Sequence, residues 1–197
     1  MAAEGGKVSG ELKGRLEDIV RATPSLMHVM TVARELDLPE WLIFSGAIYQ
    51  PVLNHLTGRE ADYGIKDYDL GYFDPSDTSY EAEDVVIRRV AQAFSPPLRE
   101  MVEVRNQARV HLWFQDKFRE PYAPLTSSEE ALSRFTTTAF SVGVRLEADD
   151  SLTILAPFGL EDLFALRLRP NPHRRTTGFS RTAESAVRRW PELSVVA

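Results

Sequence analysis

The chain has 197 residues, 43% of them hydrophobic, which suits one main domain with a sizeable core. It contains no cysteine, which excludes disulfides, thiolate metal sites and a cysteine nucleophile, and favours a cytoplasmic location. A formal net charge of −6 argues against a whole surface coated by nucleic acid. No apolar run approaches the length of a membrane span, and the first residues lack the apolar core of a signal peptide, so we expect no membrane association.

The N-terminal part of the chain is predicted to be helical. Residues 1–10 are rich in glycine, and we expect them to be disordered. Apolar residues at helical spacing predict an amphipathic helix over residues 11–22. Thr23 and Pro24 then supply an N-cap and a proline at the first position of a second helix, which ends near Leu38. These two helices form an N-terminal pair beside the main domain.

A turn of small residues follows the first predicted strand. Apolar residues 41–44 predict a short buried strand that runs into Ser45-Gly46-Ala47, and a helix follows over residues 47–56. The start of a helix exposes unpaired backbone N–H groups and the positive end of the helix dipole. Gly46 allows a ligand to approach the backbone closely, and Ser45 adds a hydroxyl. This arrangement predicts a phosphate-binding turn.

Two carboxylates stand one residue apart in residues 65–73, which otherwise have the pattern of a strand. Alternate strand residues point to the same face, so Asp67 and Asp69 aim together while Tyr68 and Leu70 face a core. Carboxylates side by side repel each other unless a cation lies between them. The pair therefore predicts a site for Mg²⁺, or for Mn²⁺ in its place.

The second half of the chain is predicted to alternate strands with short helices. Thr78 and Glu81 have the spacing of a capping box at the start of a helix that ends near Phe94, and Ser127 and Glu130 have the same spacing. The other predicted elements are strands over 101–105 and 109–114, a short helix to Phe135, strands over 140–147 and 152–156, and a helix over 159–169. We expect one domain over residues 11–170, followed by a basic extension over residues 171–197.

Taken together, the order of elements is strand, small-residue turn, helix, Asp-x-Asp strand, helix and two further strands. This order resembles the polymerase β-like nucleotidyltransferase superfamily, in particular the head domain of tRNA nucleotidyltransferases and poly(A) polymerases. The matching positions are Ser45-Gly46-Ala47-Ile48, Gly58 and Lys66-Asp67-Tyr68-Asp69-Leu70. A closer likeness, to the nucleotidyltransferase-like proteins of a mostly bacterial family, rests on the runs 45–50, 65–69, 102–111 and 156–160.

The resemblance implies an α/β (α+β) nucleotidyltransferase fold, with a mixed β-sheet flanked by helices. It implies a metal-dependent enzyme that moves a nucleoside monophosphate from a nucleoside triphosphate to a hydroxyl of an acceptor, which is RNA, a small molecule or a protein. In that chemistry, two cations roughly 3.5–4 Å apart clamp the entering and leaving oxygens. Asp67 and Asp69 would hold them, and the N–H groups of Ser45, Gly46 and Ala47 would bind the β- and γ-phosphates. Lys66 is either a further phosphate contact or a solvated charge.

Two departures from the resemblance affect the predicted site. Tyr49 and Gln50 stand where the tRNA enzymes have arginine and aspartate, so one phosphate or base contact of that subgroup is missing. Many members of the superfamily also carry a third carboxylate on a later strand, where this chain has His111. Glu103, on the neighbouring predicted strand, is the best substitute.

The side chains beside this third position are candidate ligands as well. Strand alternation places Glu103 and Arg105 on the same face of the first predicted strand. It likewise places Arg109, His111 and Trp113 on the same face of the second one. Either set can line the cleft, and we take Arg105 and His111 as candidate nucleotide contacts. An arginine is also a possible partner for Glu103 in place of a metal, and His111 is alternatively a structural histidine.

Two alternatives remain open from the sequence. Without a third acid, the protein is a non-catalytic nucleotide-binding module. The basic C-terminal residues indicate either a contact to the phosphates of an RNA or nucleotide acceptor, or a flexible surface tail that packs on an acidic face; they are Arg167, Arg169, His173, Arg174, Arg175, Arg181, Arg188 and Arg189.

Overall fold

A five-stranded mixed sheet forms the centre of the molecule, which we describe from a computed structural model for residues 10–174 and 178–196. The strands are β1 (Leu42–Phe44), β2 (Tyr68–Tyr72), β3 (Val102–Asn106), β4 (Gly143–Leu146) and β5 (Leu152–Leu155), in the spatial order β3-β2-β1-β4-β5. β2 and β3 are parallel, and the other neighbours are antiparallel. The prediction of a mixed sheet flanked by helices is confirmed.

The helices of the described chain are α1 (Gly10–Arg21), α2 (Pro24–Leu36), α3 (Gly46–Leu56), α4 (Tyr80–Ala93), α5 (Leu98–Met101), α6 (Val110–Phe118), α7 (Ser128–Leu132), α8 (Glu161–Phe164) and α9 (Gly178–Arg189). A second, two-stranded parallel sheet joins β6 (Arg167–Leu168) to β7 (Ser194–Val195). The expectation of disorder over residues 1–10 falls outside the described residues, except that Gly10 begins α1. No described helix has the length and apolar character needed to span a membrane.

The two faces of the sheet are covered to different extents. Tyr68 and Leu70 face the main core with about 1% of their surfaces exposed, and residues of α1–α4, α8 and α9 complete that core. Phe44 and Leu42 point to the opposite face, where a smaller cluster includes Leu132 of α7. Because this smaller cluster covers only part of its face, the rest of the face stays open as a cleft beside β2 and β3.

One predicted strand is a helix in the structure. Residues 109–114 were expected to continue the sheet, whereas residues 107–109 form a single 3₁₀ turn and α6 begins at Val110. The side chain of Asn106 ends β3 by accepting a hydrogen bond from the Ala108 N–H at 3.0 Å. The apolar residues Val110, Trp113 and Phe114 then recur at helical spacing, so they line one face of α6. The apolar residues of this short stretch fit the period of a strand as well as that of a helix, and the cap at Asn106 decides in favour of the helix.

Smaller differences concern the helix ends. The hydroxyl of Ser79, not Thr78, caps α4 by accepting from the Ala82 N–H at 3.2 Å. The second predicted cap is confirmed, since Ser127 accepts from the Glu130 N–H at 3.0 Å. The predicted helix over 159–169 is only the short α8, because Leu166 adopts a left-handed backbone (φ 53°) and the chain then pairs with β7.

The C-terminal segment is part of the fold. Trp190 and Ala186 are fully buried in the main core, and the indole N–H of Trp190 donates to the side-chain oxygen of Asn54 at 2.9 Å. Arg167 and Arg169 pair with Asp162, each at 3.1 Å, while Arg175 lies outside the described residues. The interpretation of this region as a surface tail is therefore wrong for its described part, whereas the expected contact with acidic groups agrees with the pairs that Arg167 and Arg169 form with Asp162. The predicted domain boundaries stay a prediction.

Candidate active site

The strand pair β2–β3 brings two carboxylates together on the open face of the sheet. Asp69 lies directly opposite Glu103 in the parallel register. The neighbours of Asp69 along its strand, Tyr68 and Leu70, are buried on the other side, as the alternation predicted. Asp67 precedes the first residue of β2 and lies close enough for its charge to act on Asp69. Asp69 and Glu103 thus form the carboxylate end of the cleft, with Asp67 near Asp69.

The carboxyl group of Asp69 has a strongly altered proton affinity. Desolvation by the surrounding protein is the main cause that raises the pKa of Asp69 to about 6, although one side of the residue remains open to water. The negative charges of Asp67 and Glu103 act in the same direction, and Arg105 acts in the opposite one. A carboxylate held beside two others is destabilised until a cation or a proton joins it. The electrostatics therefore favour a cation at this position.

The floor of the cleft requires a glycine. A methyl group built on Gly71 would lie 2.2 Å from Cε2 of Phe44, whose ring packs against this face of β2. The side-chain nitrogen of Gln107 is 3.1 Å from the same point. Phe44, the last residue of β1, pairs in register with Asp69. Its ring thus separates the carboxylates from the rest of the cleft.

The small-residue turn starts α3, as predicted, but one of its N–H groups is already bonded. The N–H of Ser45 donates to the carbonyl of Val142 at 2.8 Å, and the Ser45 carbonyl accepts from the N–H groups of Ile48 and Tyr49. Ser45 has a positive φ of 46°, which turns the chain sharply from β1 into α3. The N–H groups of Gly46 and Ala47, at the first positions of the helix, have no intrahelical acceptor and are the donors available to a phosphate.

The sequence assigned three cationic side chains to the site, and the structure places them differently. Arg105 reaches Glu103 at a long 3.9 Å, with both side chains about half exposed (45% and 57%). Lys66 is exposed in the loop before β2. His111 belongs to α6 and lines none of the cavities described below, so its expected position on a strand beside the aspartates is wrong. Arg109 instead forms a buried ion pair with Glu83.

Two cavities meet at Phe44. The first, about 340 Å³, is lined by the carboxylates Asp69 and Glu103 together with Arg105 and Trp113. The second, about 350 Å³, is lined by Ser45 and by aromatic and arginine side chains. They share the lining residues Phe44, Gln107, Phe114 and Phe135. The two cavities are thus neighbours divided by Phe44, with the carboxylates lining one and Ser45, just before α3, lining the other.

Sequence reasoning missed part of the second cavity. Tyr122 and Arg134 line it, yet they lie in irregular segments near a short helix, where no spacing marks them. Arg174 also lines it and was predicted only as one of the basic C-terminal residues. Gln50 is also unusual, because its side-chain oxygen is buried without a hydrogen-bond partner in the described part of the molecule. Its nitrogen is 3.1 Å from a methyl group built on Gly46, so it lies over the start of α3.

The fit of a divalent cation rests on the donor set. Oxygen ligands from carboxylates are those that Mg²⁺ and Mn²⁺ prefer, and Asp67 and Asp69, on either side of Tyr68, supply them. Across residues 10–174 and 178–196, however, no three acidic or histidine side chains are arranged as a ready-made metal site. Glu103 lies opposite Asp69 but also faces Arg105. The chain thus offers two neighbouring ligands with a third acid beside them.

Comparisons with known proteins identify the fold and the family of the chain. A solution NMR structure described as revealing a CCA-adding enzyme head domain has a TM-score of 0.73 to this chain at 24% identity, over 92% of this chain and 94% of that one. At this identity the likeness establishes the fold. No curated protein gave a significant match. A family model described as nucleotidyltransferase matches residues 31–195, so the chain belongs to that family of nucleotidyltransferases.

Proposed function

We propose that the protein transfers a nucleoside monophosphate from a nucleoside triphosphate to a hydroxyl of an acceptor, with Mg²⁺ or Mn²⁺ as cofactor. The observation that carries this proposal is the register of Asp69 opposite Glu103, at one end of a cleft that begins at the start of α3. In the reaction, the acceptor oxygen bonds to the α-phosphorus while the bond from the α-phosphorus to the bridging oxygen breaks, and pyrophosphate leaves. The acceptor is RNA, a small molecule or a protein.

The triphosphate binds at the start of α3. The unpaired N–H groups of Gly46 and Ala47 point out of the helix at its positive end, where phosphate oxygens are stabilised. Ser45 lines the same cavity and adds its hydroxyl. Lys66, which is exposed before β2, and Arg105, beside Glu103, balance the remaining negative charge.

The carboxylates have separate roles in this proposal. Asp67 and Asp69 would hold the divalent cation, which supplies charge neutralisation of the phosphates and lowers the pKa of the attacking hydroxyl. Glu103 lines the cavity on the far side of Phe44 from Ser45, so it faces the acceptor. There it accepts the proton that the hydroxyl loses.

We place the reaction in the cytoplasm, which holds nucleoside triphosphates and suits a chain with no cysteine.

The test is a turnover assay with defined variants. The purified protein is incubated with each labelled triphosphate and Mg²⁺ or Mn²⁺, and with cell extract as a source of acceptor. We expect release of pyrophosphate and transfer of label. Asp67→Ala and Asp69→Ala should abolish both without unfolding the protein, while Asp18→Ala, on the exposed side of α1, should change neither. Normal turnover by both cleft variants would exclude these residues.

A second candidate function is a nucleotide-binding module without turnover. It is favoured by the contact between Glu103 and Arg105 and by the lack of a three-acid metal site among the described residues. The same assay separates the two functions, because the module binds a triphosphate and releases no pyrophosphate with any acceptor source.

A further inference from the structure

The cavity beside Ser45 has the size and the lining of a small-molecule site. Its volume is about 350 Å³, within the range of ligand pockets, and it adjoins the carboxylate cavity, with which it shares lining residues. Much of its wall is aromatic, from side chains that come from β1, α3, α6 and the segments around α7: Phe44, Tyr49, Phe114, Tyr122, Phe135 and Phe140. Such a wall suits a flat, polarisable ligand.

The rings are already held in place. Phe114 and Tyr122 contact each other with centroids 4.3 Å apart and planes inclined by 36°. Phe44 and Phe135 meet edge to face at 6.3 Å. Burial raises the pKa of Tyr122 to about 12. Its hydroxyl, like that of any tyrosine at neutral pH, is protonated and can donate a hydrogen bond. The rings need little reordering to accept a ligand, which favours binding.

The arginines of this cavity are already neutralised. Arg134 pairs with Glu130 at 2.8 Å, and Arg174 pairs with Glu120 at 2.6 Å. Their guanidinium groups lie near ring faces, 5.9 Å from Tyr122 for Arg134 and 5.2 Å from Phe114 for Arg174. Two arginines balanced by two glutamates leave little net charge to attract a second phosphate. A neutral planar group fits this environment better than an anionic one.

We propose that this aromatic cavity binds the base of the nucleoside triphosphate, which stacks on Phe114 and Tyr122. The inference rests on the proposed function, because it takes the triphosphate to lie at the start of α3. Ser45 belongs to the aromatic cavity, whereas Asp69 and Glu103 belong to the other one. A nucleotide whose phosphates contact the start of α3 therefore lies beside the aromatic cavity, so its base enters that cavity without passing Phe44, and the carboxylate cavity remains open for the acceptor.

The test compares ligands that share the phosphates and differ in the base. Calorimetry with Mg²⁺ measures the binding of the four non-hydrolysable α,β-imido nucleoside triphosphates and of inorganic tripolyphosphate. At least one nucleotide should bind on the order of tenfold more tightly than tripolyphosphate, since stacking contributes that much per base. Tyr122→Leu should remove this advantage and leave tripolyphosphate binding unchanged. Tyr122→Phe, which keeps the ring, should retain most of it.

Tyr80→Leu is the matched control, because Tyr80 is 61% exposed on α4 and lines neither cavity. NMR of the wild-type complex supplies a readout that needs no variant: the base protons should show nuclear Overhauser contacts to aromatic ring protons of Phe114 or Tyr122.

The outcomes distinguish the two proposals. If tripolyphosphate and all four nucleotides bind equally, the phosphate site stands and the base site is refuted. A base-dependent affinity that Tyr122→Leu leaves intact, or base contacts elsewhere in the NMR spectra, places the base outside this cavity and overturns the inference. If no ligand binds, the proposed function fails first, and the inference fails with it.

Discussion

The ring of Phe44 occupies the space that any side chain at Gly71 would need. A methyl group there would approach Cε2 of Phe44 to 2.2 Å and Cζ to 2.7 Å. Phe44 is 4% exposed and packed in the smaller core cluster, so its ring has little room to withdraw. The closeness of these two residues keeps the face of β2 around Asp69 flat and open.

Gly71→Ala should therefore push the Phe44 ring out of its packed position. Overpacking of this kind costs about 1–3 kcal/mol in the free energy of unfolding. Since Phe44 lines both cavities, nucleotide binding should weaken in parallel. Urea denaturation and calorimetry measure the two effects. Gly14→Ala is the control: its added methyl meets nothing within 4 Å on helix α1, so it should stabilise the protein by about 0.5–1 kcal/mol.

The metal-free protein should lose stability as the pH rises through the pKa of Asp69. Its pKa is raised from 3.8 to about 6, so between these values the folded protein binds more protons than the unfolded chain. The free energy of unfolding then falls with increasing pH across that window. Asp69→Asn removes this dependence, and the variant should be more stable than the wild type above about pH 6, with the difference vanishing below about pH 4.

Urea denaturation in the presence of a chelator, repeated across this pH range, measures the difference. An Asp69→Asn variant that is less stable than the wild type at neutral pH would show that desolvation and repulsion do not act on this carboxylate.

Divalent cations should bind more weakly as the pH falls through about 6. Protons compete with the metal for the carboxylate of Asp69, whose pKa is raised to about 6. Titration with Mn²⁺, followed by water-proton relaxation at several pH values, measures the affinity. An affinity that stays constant from about pH 7 to pH 5 would mean that Asp69 is not a ligand.

The buried ion pair of Glu83 and Arg109 should be needed for stability. Both side chains are largely buried (4% and 12% exposed), and Glu83 also accepts from the N–H of Asn106, the last residue of β3, at 2.9 Å. Glu83→Ala leaves the guanidinium of Arg109 without its carboxylate partner and, among the described residues, with only the Thr78 carbonyl to accept from it, which should cost about 3–5 kcal/mol.

The control for this change is an exposed pair on the same helix. Asp84→Ala breaks the contact to Arg88, whose side chain is 67% exposed, and should cost less than about 1 kcal/mol. Thermal and urea denaturation of both variants measure the contrast; equal effects would contradict the importance assigned to the buried pair.

Trp190 should link the C-terminal segment to the loop that precedes Asp67. Its indole N–H donates to Asn54, whose amide in turn donates to the carbonyls of Ala61 and Tyr63 at 3.0 and 2.9 Å. Trp190→Phe keeps an aromatic ring but leaves the Asn54 oxygen without its donor, at a cost of about 1–3 kcal/mol. Amide hydrogen exchange should then be faster over residues 59–66. Unchanged exchange there would separate this hydrogen bond from the order of the loop.

The sequence alone indicated the sheet, the turn before α3 and the facing of Asp69. These features depend on local patterns: the period of two that buries Tyr68 and Leu70, and the small residues that let a strand turn into a helix. The resemblance to nucleotidyltransferases rested on the same segments, and the family match confirms it. The predicted metal and phosphate roles of the site residues stay predictions.

Only the tertiary structure determined which residues and elements lie beside the carboxylates. Residues 109–114 form a helix because the side chain of Asn106 ends β3, a choice that the apolar pattern left open. The Ser45 N–H is taken by Val142, a residue nearly 100 positions away, and Trp190 is buried against Asn54. The spacing of apolar residues along the sequence indicates which face of its own helix or strand a side chain occupies. Contacts between distant segments depend instead on how the whole chain packs.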